Sequence, residues 1–330
     1  MRLSDLQTPA LLVAAADLEH NLATMASALP GERLRPHVKA HKCTELARRQ
    51  LQHGHHRFTC ATIREVEGMA AAGLGEDLML ANEVVDATRL GKVVAAGARV
   101  TLAVDSATTV EAAVTGGVRE VVIDVNVGLP RCGIDPSEAG KLADLARRKG
   151  LEVRGVMGYE GHVVGLEEAS TRAQMVKPCM ELLLRAHSDV GGELISAGGT
   201  GTYALNTWAN EIQAGSYALM DTAYSKLGLP FRPALSVLAT VISVSSGWAV
   251  ADCGLKALGM DHGNPTVPGG SVWFCSDEHI TFASDTDVKV GDRVRVLPAH
   301  VDPTVAYHET LHVVEGDEVV EVWPVDLRGW

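Results

Sequence analysis

The stretch Arg35-Pro36-His37-Val38-Lys39-Ala40-His41-Lys42 crowds cations and histidines onto the end of a candidate strand that starts at Leu34, and a helix-like pattern, Thr44–His53, follows it. A strand that ends among cations and passes into a helix is one half of a βα unit. Outward from this unit the same alternation recurs. Candidate strands are Ala10–Val13, Leu34–Lys39, Arg57–Ala61, Asp77–Ala81, Arg99–Val104, Glu120–Val127, Glu152–Tyr159 and Glu193–Ser196. Between them Asp17–Leu29, Thr44–His53, Arg64–Ala72 and Val84–Ala96 have helical spacing, with Asp17 and Ser106 as N-caps and Gly73 and Gly97 as stops. Eight strands of this kind suit a (β/α)8 barrel, α/β in class, better than an open sheet.

After Pro230 the pattern changes. Leu235–Val244, Trp248–Val250, Ser271–Phe274, Arg293–Leu297, Thr310–Val314 and Val319–Trp323 alternate apolar and polar residues. Turn formers such as Gly263-Asn264-Pro265 and Pro268-Gly269-Gly270 separate them. The expected division is therefore an α/β barrel over residues 8–230 and a C-terminal all-β domain over residues 231–330, joined by residues 1–7.

Composition narrows the function classes. Of 330 residues, 46% are apolar and 21% charged, the profile of a soluble globular protein. A net charge of −12, with no block of Lys or Arg, disfavours nucleic acid as a partner. No apolar run is long enough to span a bilayer, and Met1–Ala10 lacks a signal-peptide pattern. The six cysteines are scattered, with no C-x-x-C pair, which argues against a zinc ribbon or a disulfide framework. A cytoplasmic protein is expected.

In an extended strand Arg35, His37 and Lys39 project to one face, and the carboxyl end of a barrel strand is where catalytic groups gather. A lysine amine kept neutral by neighbouring cations can form a Schiff base with an aldehyde. A basic surface loop is the other reading of the same residues. The run Arg-Pro-His-x-Lys-x-His-Lys (Arg35–Lys42), preceded by Thr8-Pro9-Ala10-Leu11-Leu12-Val13, resembles the D-threonine aldolase and D-serine dehydratase family. These are fold-type III pyridoxal 5'-phosphate enzymes related to alanine racemase, and the resemblance runs nearly end to end. It implies a barrel plus a β domain, which agrees with the pattern. It further implies Lys39 as the Schiff-base lysine, with Lys42 as the rival, a small amino acid as substrate, and a homodimer.

Ile195-Ser196-Ala197-Gly198-Gly199-Thr200-Gly201-Thr202 follows a candidate strand, and glycines there let backbone N–H groups cradle a phosphate. Gly199, Gly201 and Ala204, with Asp221 further on, also fit a dinucleotide fingerprint, but Tyr203–Asn210 lacks the long helix such a site uses. The resemblance implies a cofactor-phosphate site from Ser196, Gly199, Thr200 and Gly201 with Gly215, Ser216 and Tyr217. It sets Gln213 where alanine racemases carry an arginine facing the pyridine nitrogen, so the ring has an uncharged partner; Gln213 as a simple strand end is the other reading. It puts Arg131, in Gly128–Gly133, near the phenolic oxygen, His37 and Tyr159 beside the cofactor, and His162 in reach as an acid, a base or an ordering group.

In Pro298–Val305, His300 and Asp302 are two apart and would point the same way in an extended segment. One imidazole and one carboxylate suit Mn2+, Mg2+, Co2+ or Zn2+, although His-x-Asp is a common tripeptide with many structural uses. The resemblance implies a metal pair, since D-threonine aldolases carry His-x-Asp here and D-serine dehydratases His-x-Cys with zinc. Asp302 therefore implies an aldolase and a harder ion, Mn2+ or Mg2+ ahead of Zn2+ or Co2+. Asp252–Lys256 and Asp277-Glu278-His279 match the family too, and Glu278 and His279 could support the metal or touch substrate. The expected function is a metal-activated aldolase that cleaves D-β-hydroxy-α-amino acids of D-threonine type to glycine and an aldehyde. A D-serine or D-3-hydroxyaspartate dehydratase, an epimerase and a non-catalytic pyridoxal-phosphate carrier are the alternatives.

Overall fold

The computed structural model describes every residue from Met1 to Trp330, in two compact units. One comprises Met25–Lys39, Leu46–Gly215 and Gly329–Trp330; the other comprises Met1–Thr24, Ala40–Glu45 and Ser216–Arg328. The first strand, β1 (Ala10–Ala14), lies in the second of these and does not open the parallel sheet as expected. It pairs antiparallel with Leu235–Ser245 and parallel with Thr310–Glu315. A short apolar run buried on both faces reads the same in either sheet, so only distant pairing partners decide where it goes. Two helices, α1 (Ala15–Ala28) and α2 (Thr44–Gln52), follow in the chain, and Asp17 falls inside the first turn of α1 and not at its cap.

The parallel sheet takes its strands in chain order: β2 (Arg57–Cys60), β3 (Asp77–Leu80), β4 (Val100–Val104), β5 (Glu120–Asp124), β6 (Glu152–Gly158), β7 (Leu194–Ala197) and β8 (Glu211–Ile212). The first five connections each carry a helix: α3 (Ile63–Ala71), α4 (Thr88–Ala95), α5 (Ala107–Gly116), α6 (Ala139–Arg148) and α7 (Ala169–Val190). Ser106 caps α5 as expected, its Oγ accepting the Thr109 N–H at 3.3 Å. The expected strand Leu34–Lys39 is the exception. Its first part is extended and bridges both edges of the sheet in parallel, Leu34 to Ile212 and His37 to Thr59. The Arg35 N–H donates to Ile212 O at 2.9 Å and the Thr59 N–H to Pro36 O at 2.9 Å. Pro36 has no N–H to give toward β2, so a donor is missing on that side, whereas toward β8 the His37 N–H also donates, to Ala214 O at 3.0 Å. With this eighth stave the sheet closes into a barrel.

Arg35 points into that barrel and is fully buried. Its guanidinium meets Asp77 Oδ1 at 3.0 Å and Glu211 Oε1 at 2.8 Å. Arg154 donates to both Asp77 oxygens at 2.9 and 3.1 Å and to Thr101 Oγ1 at 2.8 Å. Asp77 opens β3 and Glu211 opens β8, so this network plugs the amino-terminal end of the barrel, the end associated with stability.

In the other unit an eight-stranded sheet has the order β11-β12-β10-β9-β1-β14-β15, with β13 also on β9. Its members are β9 (Leu235–Ser245), β10 (Trp248–Ala251), β11 (Gly270–Cys275), β12 (Ile280–Ser284), β13 (Arg293–Val296), β14 (Thr310–Glu315) and β15 (Glu318–Pro324). All neighbours are antiparallel except β1 and β14. Two short helices, α8 (Thr222–Ser225) and α9 (Val301–Tyr307), complete it, and no helix of the chain is long and apolar enough to cross a membrane.

Burial alone would raise the Asp77 carboxyl, but Arg35 and Arg154 outweigh it and hold the group well below the ordinary carboxylate range. A depressed folded-state value adds stability above the unfolded value, near 3.9, and that stability is lost as pH falls below about 4. Asp77→Ala is expected to cost about 3–5 kcal/mol at pH 7 in urea unfolding, because two buried guanidinium groups lose their counter-charge. The variant is also expected to lose part of the wild type's decline in stability below about pH 4.

Candidate active site

All staves of the barrel run parallel, so their carboxyl ends share one mouth. Lys39 stands there in a single 3-10 turn, Val38–Ala40, and not at the end of a continuous strand. Its Nζ lies 5.9 Å from the centroid of the Tyr159 ring, just past β6, and Arg131 approaches the same ring at 5.4 Å. The Lys39 N–H donates to His37 Nδ1 at 3.4 Å, so that nitrogen holds a lone pair. Arg35 does not crowd Lys39 as the same-face reading expects. The turn after His37 ends the two-residue alternation, and the Arg35 charge is taken up by Asp77 and Glu211. Lys42 belongs to the other unit, where its backbone is left-handed (φ 46°) and its carbonyl accepts the Leu327 N–H at 3.0 Å.

The glycine-rich loop leaves β7 at the same mouth. Buried Glu160 accepts the Gly198 N–H at 3.2 Å and the Thr202 hydroxyl at 2.7 Å, and Thr202 Oγ1 in turn accepts the Gly199 N–H at 3.2 Å. A Cβ at Gly201 would run into the Val164 carbonyl oxygen, so only glycine fits, while Gly199 faces the Tyr159 ring and Thr200 is buried. Ser196 lies within β7, not on the loop. Its hydroxyl donates to Glu211 Oε1 at 2.7 Å and accepts from Gln213 Nε2 at 2.9 Å. Gly215 ends the barrel unit; Ser216 and Tyr217 begin the other, where Tyr217 is buried with its ring 5.7 Å from Phe231. His162 turns Nε2 to Cys179 Sγ at 3.7 Å, and its Nδ1 is buried with no protein partner. Gly128 (φ 121°) lies against that ring, where a Cβ would come within 3.1 Å.

In the β unit His300 is the N-cap of α9 and Asp302 sits in its first turn, so the pair does not lie on an extended segment. Pro303 is compatible with an early helical position, and a carboxylate in the first turn suits the helix dipole. The two side chains nonetheless approach, His300 Nε2 to Asp302 Oδ1 at 4.0 Å. Asp221, buried, accepts the Val301 N–H at 3.0 Å and so fixes the turn that carries both. His300 Nδ1 lies 2.8 and 2.9 Å from the Asp261 oxygens, and the His262 ring stacks on the His300 ring at 3.9 Å. Glu278 is engaged with Lys256 at 2.9 Å.

Sequence reading missed several of these groups. Asp124 ends β5 at the barrel mouth and is pushed well above the ordinary carboxyl range, first by burial and then by the hydrogen bond its protonated form donates to Glu83. Cys132 is pushed up to about 11, first by its own bond to Glu83 and then by burial. An acidic residue ending an apolar barrel strand is a signal that could have found Asp124. Glu160 and Asp261 gave none, since each finds its partners through tertiary contacts.

A barrel whose mouth joins a lysine, an aromatic ring and a pinned glycine loop, followed by an antiparallel β unit with a His/Asp pair, has the alanine racemase-like architecture. Residues 13–223 match the family model "Alanine racemase, N-terminal domain", and residues 234–314 match a serine dehydratase domain. The chain belongs to this family, and specifically to the D-threonine aldolase and D-serine dehydratase group. It is 33% identical to a D-threonine aldolase of an Arthrobacter species, over 99% of this chain and 94% of that one. It is 31% identical to a 3-hydroxy-D-aspartate aldolase of Paracoccus denitrificans, over 99% and 93%. The solved structure of a D-threonine aldolase from Filomicrobium marinum superposes with a TM-score of 0.94 at 33% identity, covering 100% of this chain and 97% of the other.

Gly201→Ala is expected to weaken pyridoxal 5'-phosphate binding at least about tenfold, because the loop must shift away from Val164. Absorbance titration with the cofactor checks this, with circular dichroism confirming an intact barrel.

Proposed function

We propose that this chain is a metal-activated, pyridoxal-phosphate-dependent aldolase that cleaves D-β-hydroxy-α-amino acids of D-threonine type to glycine and an aldehyde. The observation that carries the reading is Lys39 at the barrel mouth, its Nζ beside Tyr159, with a glycine loop whose Gly201 admits no side chain. The coarser statement, an enzyme of D-β-hydroxy-amino acids, fits both kinds of aldolase named among its relatives.

The residues present fit both groups that such an enzyme needs. The cofactor, when bound, supplies an electron sink at Cα, and the divalent ion supplies a Lewis acid for the β-hydroxyl. Lys39 would hold the aldehyde carbon, and the Gly199–Gly201 backbone, Gly215, Ser216 and Tyr217 the phosphate. Tyr159 and Arg131 would line one side of the ring, with the His37 ring fixing the turn by accepting the Lys39 N–H. Gln213 would meet the pyridine nitrogen, steadied by the Ser196–Glu211 chain. His300 and Asp302 would hold the ion, Mn2+ or Mg2+ in preference to Zn2+ or Co2+, since one of the two donors is a carboxylate oxygen. His162 would move a proton at Nδ1, the edge left without a protein partner. A cytoplasmic homodimer is part of the same reading.

Incubation with D-threonine, D-phenylserine, D-serine and D-3-hydroxyaspartate, with and without EDTA, tests it. Glycine plus an aldehyde, suppressed by EDTA and restored by Mn2+, is the expected result. Ammonia plus a 2-oxo acid would replace the aldolase with a dehydratase, and exchange at Cα without fragmentation would mean an epimerase. Borohydride reduction of the holoenzyme and peptide mapping should place the cofactor on Lys39; finding it on Lys42 would overturn that assignment.

A further inference from the structure

We propose that Asp261 is a positioning residue that turns the Nε2 edge of His300 toward Asp302 and so sets the affinity of the metal site. This inference rests on the reading of His300 and Asp302 as ion ligands. An imidazole can present either nitrogen to an ion, and the group bonded to the other nitrogen decides which. Both Asp261 oxygens lie within hydrogen-bond range of His300 Nδ1, at 2.8 and 2.9 Å. A carboxylate only accepts, so Nδ1 carries the hydrogen and the lone pair stays on Nε2, the nitrogen facing Asp302 Oδ1.

The backbone explains how Asp261 reaches that position. Gly259 forms an antiparallel bridge with His300, and its N–H donates to Thr304 Oγ1 at 2.9 Å, while the Thr304 hydroxyl donates to His300 O at 2.7 Å. A Cβ at Gly259 would collide with the Pro303 ring, so this close approach needs glycine. Two residues on, Asp261 meets the outer edge of the imidazole. His262 lies flat on the ring, 9° from parallel, and limits its rotation.

A rival arrangement uses the same residues. Asp261, His262 and His300 offer ligand atoms within 4.8 Å of one another and could enclose an ion directly. The exposure of the side chains favours the first arrangement. Asp261 and His262 are 57% and 44% exposed, whereas His300 and Asp302 are 20% and 19% exposed. The Nε2 edge therefore faces the enclosed donor Asp302, and Asp261 backs the ring from outside.

The test is Mn2+ titration of EDTA-stripped holoenzyme, read from the loss of the free-Mn2+ electron paramagnetic resonance signal. Cofactor absorbance and circular dichroism serve as folding controls. His300→Ala and Asp302→Ala should abolish binding. Asp261→Ala should weaken it by about 10- to 100-fold, the usual range for a group that orients a ligand. Asp261→Asn, whose amide oxygen can still accept from Nδ1–H, should recover most of the loss, and His262→Ala should change affinity by less than about threefold. If Asp261→Ala binds like wild type while His300→Ala and Asp302→Ala do not, the inference fails and the metal reading survives. If His262→Ala is as damaging as His300→Ala, the ion sits in the outer trio and the inference also fails. If His300→Ala and Asp302→Ala bind normally, the metal reading itself is wrong.

Discussion

The barrel closes on a segment that cannot be a regular strand. Pro36 removes a ladder donor on the β2 side, and Leu34–His37 is held by one bridge to each sheet edge and by the buried guanidinium of Arg35. Removing that guanidinium would leave Asp77 and Glu211 short of counter-charge in a water-poor interior. Because the segment is anchored at Arg35 and then turns, Lys39 leaves the barrel wall at the open mouth with its amine toward Tyr159. The anchoring charges lie at the amino-terminal end of the barrel and the candidate chemistry at the carboxyl end, so stability and reactivity are divided between the two ends of one stave.

The β unit offers chemistry of a different kind, built on different constraints. Its His/Asp pair depends on a helix cap, a buried carboxylate under the Val301 N–H and a glycine that lets a second segment close on the imidazole. None of these needs the barrel's network. Lys39 is the last barrel residue before the chain passes to the other unit at Ala40, so one continuous stretch, Arg35–Lys42, carries residues of both.

Much of this was legible in the residues alone. The strand–helix alternation marked β2 through β7 within a few residues, the capping Ser106 was readable three residues from its partner, and the alternation after Pro230 marked β9 to β11 and β13 to β15. These signals are local: side-chain periodicity, caps and turn formers act within a few residues of chain. The same locality explains the failures. Ala10–Val13 has the apolar character of any central strand, and nothing within it says that its neighbours lie more than two hundred residues away. Leu34–Lys39 read as one strand because the loss of a donor at Pro36 matters only once both sheet edges are present.

By itself, then, the sequence determined the class of fold, the lysine-bearing motif, the glycine loop and the His-x-Asp pair, because each is a short pattern whose chemistry is carried by its own residues. The tertiary structure alone decided which charges neutralise Arg35, which carboxyl raises Asp124, and which nitrogen of His300 is turned toward Asp302. Those outcomes depend on distances between groups remote in the chain and on how little water reaches them, and electrostatic effects of this kind vary steeply with both.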